Sequence, residues 1–183
     1  DSGPKLSQQD IDAFEARIGA KLPPEYAAFL LEHNGGRPSP DVFPAPGWIG
    51  GDMDDVGWFY ILRPQAEDDG EDLLWIHDVM KWRIPDDFLV VASTPGGDLI
   101  GLWLTGDRRG QVALWDHEAE HRPPTDHNIY TFAPNFAEFL EALQELPEDF
   151  DYDKDELPVP ESWRALQKQI EAKLAMKTSK RSK

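Results

Sequence analysis

The stretch LPPEYAAFLLEHNGG, residues 22–36, is the most informative part of the sequence for the fold. Its two adjacent prolines suit the first turn of a helix, because proline fixes φ near the helical value and no amide donor is needed there. Tyr26, Phe29 and Leu30 follow at helical spacing, which predicts one buried face. The Asn-Gly-Gly at 34–36 is typical of a helix end, since these residues tolerate left-handed backbone. The stretch therefore predicts a short amphipathic helix followed by a sharp turn.

A second helix is predicted on the N-terminal side of this stretch. Ser7 can cap it in a weak capping-box arrangement with Asp10, and Gly19 can end it. On the C-terminal side, residues 37–55 are predicted to be a loop rich in proline and glycine. Further strands are predicted at 56–63, 88–93, 99–104, 111–116 and 128–132, and further helices at 72–82 and 135–146.

This order of elements predicts the fold class. Two helices, then an antiparallel or mixed sheet, then helices give a single α+β domain with its N-terminal and C-terminal helices packed on the sheet. We assign residues 1–146 to the domain, 147–159 to an acidic linker, and 160–183 to a C-terminal helix with a basic tail.

The composition excludes several classes of protein. There is no cysteine, which excludes disulfide scaffolds, thiolate zinc sites and cysteine nucleophiles and fits a reducing compartment. No apolar run approaches the length of a membrane span, so no membrane association is expected. No signal peptide is visible, although a chain without an initial Met can have lost an upstream segment. We therefore expect a cytoplasmic protein.

The charge is large and unevenly distributed. The net formal charge of the chain is −17. Residues 160–183 hold seven basic and two acidic side chains, a net of +5, which leaves −22 for residues 1–159. Such a body repels phosphate backbones, so nucleic acid is not an expected partner. It attracts a basic protein and speeds their encounter, although a merely solvated acidic surface would have the same composition.

The stretch 22–36 and several later motifs together resemble the SUKH superfamily, which is named after fungal cell-wall regulators and bacterial immunity proteins. The motifs occur in family order and cover about three quarters of the chain, roughly from Leu6 to Leu143. The later motifs are IPDDF at 84–88, GGD at 96–98, a Gly-x-Val strand ending in WDHE at 115–118, and NFxxFL at 135–140.

The resemblance implies a mixed sheet with helices packed on it, and it also implies a function. Bacterial members of the superfamily are commonly immunity proteins that bind and neutralise a toxin, and fungal and animal members act as regulatory adaptors. We expect a non-enzymatic immunity protein without a cofactor, whose cognate toxin is basic and nuclease-like. The alternative is a non-inhibitory adaptor, and the oligomeric state stays open.

A third class, metal-dependent hydrolase, rests on a metalloprotease-like pattern. His117-Glu118-Ala119-Glu120-His121 fits H-E-x-x-H, and His127 stands where a third ligand would be. Two such His must share one face of a helix. Here they follow a predicted strand, and Pro123-Pro124 leaves hardly one helical turn. We therefore predict an exposed polar loop, with neither a catalytic residue nor a metal site, although adventitious metal binding by these His stays open.

Acidic clusters and one tryptophan are the candidate partner-binding residues. A large aromatic beside carboxylates has the composition of a hot spot with a charged rim. The alternatives are a core Trp48 that holds a long loop and plain solvation of the carboxylates. The candidates are Trp48, Asp52, Asp54, Asp55, Glu67, Asp68, Asp69, Glu71 and Asp72.

Overall fold

Two helices open the chain, as predicted. Helix α1 spans Gln8–Ile18 and helix α2 spans Pro24–Glu32. The Ser7 hydroxyl and the Asp10 carboxylate form a reciprocal capping box, and Gly19 ends α1 with a left-handed φ of 72°. The computed structural model describes residues 2–48, 50–65, 70–151 and 157–181.

The segment 37–55 is not the loop that we predicted. It contains a two-stranded antiparallel sheet of β1 (Val42–Trp48) and β2 (Gly51–Asp55). The prediction was wrong because proline and glycine weaken a strand without excluding one in a short ribbon. A short two-stranded ribbon needs few hydrogen bonds between its strands. Its register shifts between Pro44 and Trp48, so a proline in this stretch does not have to donate a hydrogen bond to the other strand.

Five further strands form one antiparallel sheet in the order β3-β4-β5-β6-β7, which confirms the predicted α+β class. Only two residues of the strand predicted at 56–63 join this sheet, and Ile61 instead forms a parallel bridge with Asp72. The other four strands lie within two residues of their predicted positions. The five are β3 (Trp58–Phe59), β4 (Phe88–Ser93), β5 (Leu99–Trp103), β6 (Val112–Trp115) and β7 (Ile129–Ala133).

Three helices complete the fold. They are α3 (Leu73–Met80), α4 (Phe136–Glu141) and α5 (Glu161–Arg181). Helix α4 is shorter than predicted because Gln144 leaves the helical path and exchanges backbone hydrogen bonds with Val42, at 2.9 and 3.2 Å. No helix in the described ranges has both the length and the apolar character that a membrane span requires.

An aromatic cluster joins the helices to the sheet. The Phe136 ring centroid lies 5.0 Å from that of Tyr26, 5.2 Å from that of Phe29 and 5.9 Å from those of Phe59 and Phe139. These rings come from α2, β3 and α4, and most of the pairs meet edge to face, the arrangement that ring quadrupoles favour. The predicted buried face of α2 is thus confirmed.

The C-terminal helix contributes to the same core. Trp163 is fully buried, and its ring centroid lies 5.8 Å from that of Phe132 on β7. Leu157 and Leu166 are buried as well. The composition changes at the predicted boundary near residue 146, but side chains beyond this boundary still pack into the same core.

Candidate functional site

One end of the five-stranded sheet collects carboxylates and a histidine. Asp98 directly precedes β5, and Asp116 and His117 directly follow β6. Because β5 and β6 are antiparallel neighbours, the start of one and the end of the other lie at the same edge. Asp54 on β2 is close enough to Asp98 for the two charges to interact. We call Asp54, Asp98, Asp116 and His117 the sheet-end cluster.

A short hydrogen bond between Asp98 and His117 organises this cluster. The Asp98 Oδ1 atom lies 2.6 Å from Nδ1 of His117 and also accepts the His117 backbone N–H at 2.9 Å. Asp98 is only 5% exposed, whereas the His117 side chain is 42% exposed. The hydrogen bond to Asp98 raises the pKa of the imidazole, and the attraction of the same carboxylate adds to the effect. The Asp98 carboxylate thus fixes an imidazole at the protein surface.

Asp54 and Asp55 carry charge in partly desolvated positions. Burial is the main cause that raises the pKa of Asp54, and repulsion from Asp98 adds to it. Burial, then repulsion from Asp41, raises the pKa of Asp55. At neutral pH these groups therefore make the folded state less stable than neutral side chains would. Carboxylates in such positions are typical of functional sites, where residues that serve recognition lower the stability of the fold.

Three residues of the sheet-end cluster also resemble part of a metal site. Asp98, Asp116 and His117 can each place one ligand atom within 4.8 Å of the other two. However, Oδ1 of Asp116 already accepts the N–H groups of Glu118 and Ala119, at 2.9 and 3.3 Å, which stabilises the turn after β6. When His117 is protonated, the imidazolium itself supplies a positive charge beside Asp98. The cluster thus has an internal counter-charge, and we assign it no metal.

The metalloprotease-like pattern lies in the exposed loop between β6 and β7, as predicted. His117 and His121 are exposed, and neither lies in a helix. His117 bonds Asp98, whereas the His121 ring centroid lies 3.8 Å from that of His127. The two imidazoles thus have separate partners.

The hairpin of β1 and β2 brings the first group of candidate residues together. Trp48 is half-buried and packs against the core. Its ring lies directly over Gly50, where any side chain would have to displace the ring. Asp52 is exposed, while Asp54 and Asp55 are half-buried on β2. Trp48 therefore holds its own hairpin in place, with a row of carboxylates beside it.

Only two residues of the second group of candidates, Glu71 and Asp72, lie in the described ranges. Glu67, Asp68 and Asp69 lie outside the residues that the structure describes, and Glu71 is exposed. The prediction that Asp72 is a partner-binding residue has to be corrected. It is fully buried, its Oδ1 accepts the Trp75 backbone N–H at 2.8 Å, and Nη1 of Arg63 lies 3.6 Å from its Oδ2. Asp72 caps α3 and cannot reach a partner, as an Asp before an apolar helical run could have indicated.

Sequence reasoning missed two features of this region. The first is the pairing of Asp98 with His117, which depends on the register of β5 and β6. The second is the outward face of α3, because apolar spacing along a helix predicts only its buried face. On that outward face Val79 is 43% exposed, and two residues past the helix Trp82 is 74% exposed.

The raised pKa of His117 predicts a pH-dependent stability. The folded protein binds this proton more tightly than the unfolded chain, so protonation stabilises the fold below the ordinary value of 6.5. The contribution is lost as pH rises through the raised pKa. Because the imidazole is well exposed, we expect less than about 1 kcal/mol.

NMR titration of the imidazole tests this prediction, with Asp98→Asn as the comparison. The pKa of His117 should lie above 6.5 in the wild type and fall in Asp98→Asn. The same pKa in both proteins would show that the hydrogen bond has no effect on the titration.

Comparison with known proteins supplies the family. Curated protein sequences give no match to this chain. The family model of the SMI1/KNR4 family (SUKH-1) matches residues 5–142, about three quarters of the chain. The match covers α1 to α4 and the whole of both sheets, and it ends before α5. The family is known for immunity proteins. The chain belongs to the SMI1/KNR4 family (SUKH-1), as the ordered motifs in its sequence indicate.

Proposed function

We propose that this protein is a non-enzymatic, cytoplasmic immunity protein that binds and neutralises a cognate bacterial toxin. The observation that carries the proposal is the family match over residues 5–142, because the family is known for immunity proteins. The protein would act by occupying a surface of the toxin in a stoichiometric complex. Neither a cofactor nor a chemical step is needed for that action.

The hairpin and the sheet-end cluster support a basic partner. Asp52, Asp54 and Asp55 lie along one strand, and Asp98 is close to Asp54. A Lys or Arg of the partner placed beside Asp54 would offset the two causes that raise the pKa of this carboxyl, which are its burial and the repulsion from Asp98. Binding would thereby recover part of the stability that the unbound protein lacks.

The charge of the whole body supports the same conclusion. Residues 1–159 carry −22, so a positively charged protein is attracted before contact. Nucleases bind phosphate backbones with positive surfaces, and an acidic protein can occupy such a surface. We therefore propose a nuclease-type effector as the toxin.

Co-expression tests the proposal. The catalytic domain encoded by a neighbouring toxin gene should arrest growth when expressed alone, and this protein should restore growth and co-purify in a stable complex. A complex without protection would support the adaptor alternative. Absence of any complex would refute the proposed function.

A variant of the His loop makes the same experiment a test of the enzymatic alternative. His121→Ala removes the metalloprotease-like pattern at an exposed position. It should protect cells as well as the wild type does. Loss of protection together with loss of stoichiometric zinc would favour the metal-dependent hydrolase.

A further inference from the structure

Helix α3 carries a second apolar surface that faces solvent. Its inward residues Leu73, Ile76 and Met80 are buried in the core. On the outside, Val79 is 43% exposed, and Trp82, in the turn after the helix, is 74% exposed. They are the large apolar side chains that are this exposed among the residues whose burial the structure describes. Two neighbouring side chains of this kind are typical of a binding surface.

This surface is connected to the sheet-end cluster by direct contacts. Arg83, the residue after Trp82, places Nε 3.0 Å from Oε1 of Glu120 in the loop between β6 and β7. The backbone N–H of Glu120 in turn donates to the carbonyl oxygen of His117 at 3.3 Å. One chain of contacts therefore leads from the exposed tryptophan to the histidine that Asp98 holds. One partner can cover both regions.

Two of the cations near Trp82 are paired with carboxylates. Arg83 pairs with Glu120, and Arg17 pairs with Asp78. Lys81, with its ammonium 5.7 Å from the centroid of the Trp82 ring, and Arg122, whose charge helps to lower the pKa of Glu120, are further cations of this region.

The net charge of the body that carries this surface favours a basic partner. Glu118 and Asp86 are exposed and form no ion pair within the part of the chain that the structure describes. Residues 1–159 together carry −22, so a positively charged protein is attracted to this body. An apolar pocket bordered by Lys or Arg complements this arrangement.

We propose that Val79 and Trp82 form the apolar anchor with which this protein binds its toxin, and that the exposed carboxylates of Asp86 and Glu118 form part of the acidic rim. The proposal rests on the proposed function and names the surface that performs it. Tryptophan is enriched among residues that dominate binding energy, because its large ring buries much apolar area with little loss of side-chain entropy. Trp82 therefore replaces Trp48 as the anchor, since Trp48 already packs on its own hairpin.

The test measures binding of purified Trp82→Ser and Val79→Ser variants to the toxin domain encoded by the neighbouring gene. Trp82→Ser should raise Kd about 30-fold or more, mainly through faster dissociation, and Val79→Ser should raise it less. Trp82→Phe should recover part of the affinity. Because both side chains are exposed, thermal unfolding should be unchanged. Gln9→Ser, at an exposed position of α1, is the control and should bind as the wild type does.

Three outcomes would overturn the proposal, and they are distinguishable. If the wild type binds and Trp82→Ser binds within about threefold of it, the anchor is wrong while the proposed function stands. If the wild type does not bind the toxin, both proposals fail. If sedimentation shows a concentration-dependent dimer that Trp82→Ser abolishes, a second copy of this chain covers the surface instead.

Discussion

Replacing Trp163 by Ala is expected to lower the free energy of unfolding by about 3–5 kcal/mol. The side chain is fully buried and belongs to the main core, where it contacts the Phe132 ring of β7. Its removal leaves a cavity beside the sheet as well as losing apolar burial. Urea unfolding followed by fluorescence or circular dichroism measures the change.

Arg164→Ala is the matched control for this prediction. Arg164 is the next residue on α5, but its side chain is 60% exposed and forms an ion pair with Glu161 on the same helix. Its replacement should change stability by less than about 0.5 kcal/mol. A cost below about 1 kcal/mol for Trp163→Ala would mean that α5 adds little to the core and that the domain ends near residue 146, as the composition suggested.

Neutralising the carboxylates of β2 is expected to slow association with the toxin by about tenfold or more. The triple variant Asp52→Asn, Asp54→Asn and Asp55→Asn removes three charges from one strand. Because these charges act on the approaching partner before contact, the association rate should change more than the dissociation rate. Stopped-flow or surface-based kinetics separates the two rates.

Loss of binding in this variant should not reflect unfolding. The raised pKa of Asp54 means that the folded state holds this proton more tightly than the unfolded chain. The ionised group therefore destabilises the fold at neutral pH, and Asp54→Asn should unfold at the same or a higher temperature. A clearly lower midpoint would contradict the physical account of Asp54.

A second triple variant separates the local effect from the effect of total charge. Asp12→Asn, Glu25→Gln and Glu32→Gln remove three exposed carboxylates from α1 and α2 and change the net charge equally. Association should slow less than in the β2 variant. Equal slowing would mean that the overall charge attracts the toxin and that β2 has no special part in it.

The elements that the sequence predicts well depend on local signals. The capping box at Ser7 and the apolar spacing of α2 involve residues within a few positions of one another, and the structure confirms both. The same holds for the strands at β4 to β7, which are continuous apolar runs between turn residues. Such features depend on residues that are close in the sequence, so a local pattern is enough to predict them.

The features that the sequence does not predict depend on contacts between distant residues. Trp163 meets Phe132 across 31 positions, and His117 meets Asp98 across 19. No local pattern shows that these side chains will touch, because strand register and helix docking decide it. The hairpin of β1 and β2 is missed for a related reason, since its prolines lie in the stretch of β1 from Pro44 to Trp48, where the register against β2 is irregular. Partner binding by the second acidic group, at 67–71, stays a prediction.

The most direct test of the account is the salt dependence of association between this protein and its toxin. The central claim is that an acidic surface attracts and binds a basic partner. Exposed charges are screened beyond about 8 Å at physiological ionic strength and more strongly at higher salt. Between about 50 mM and about 500 mM salt, we expect the association rate to fall by about tenfold or more, while dissociation changes little. An association rate that is indifferent to salt over this range would show that apolar contacts alone direct recognition, and it would contradict the account.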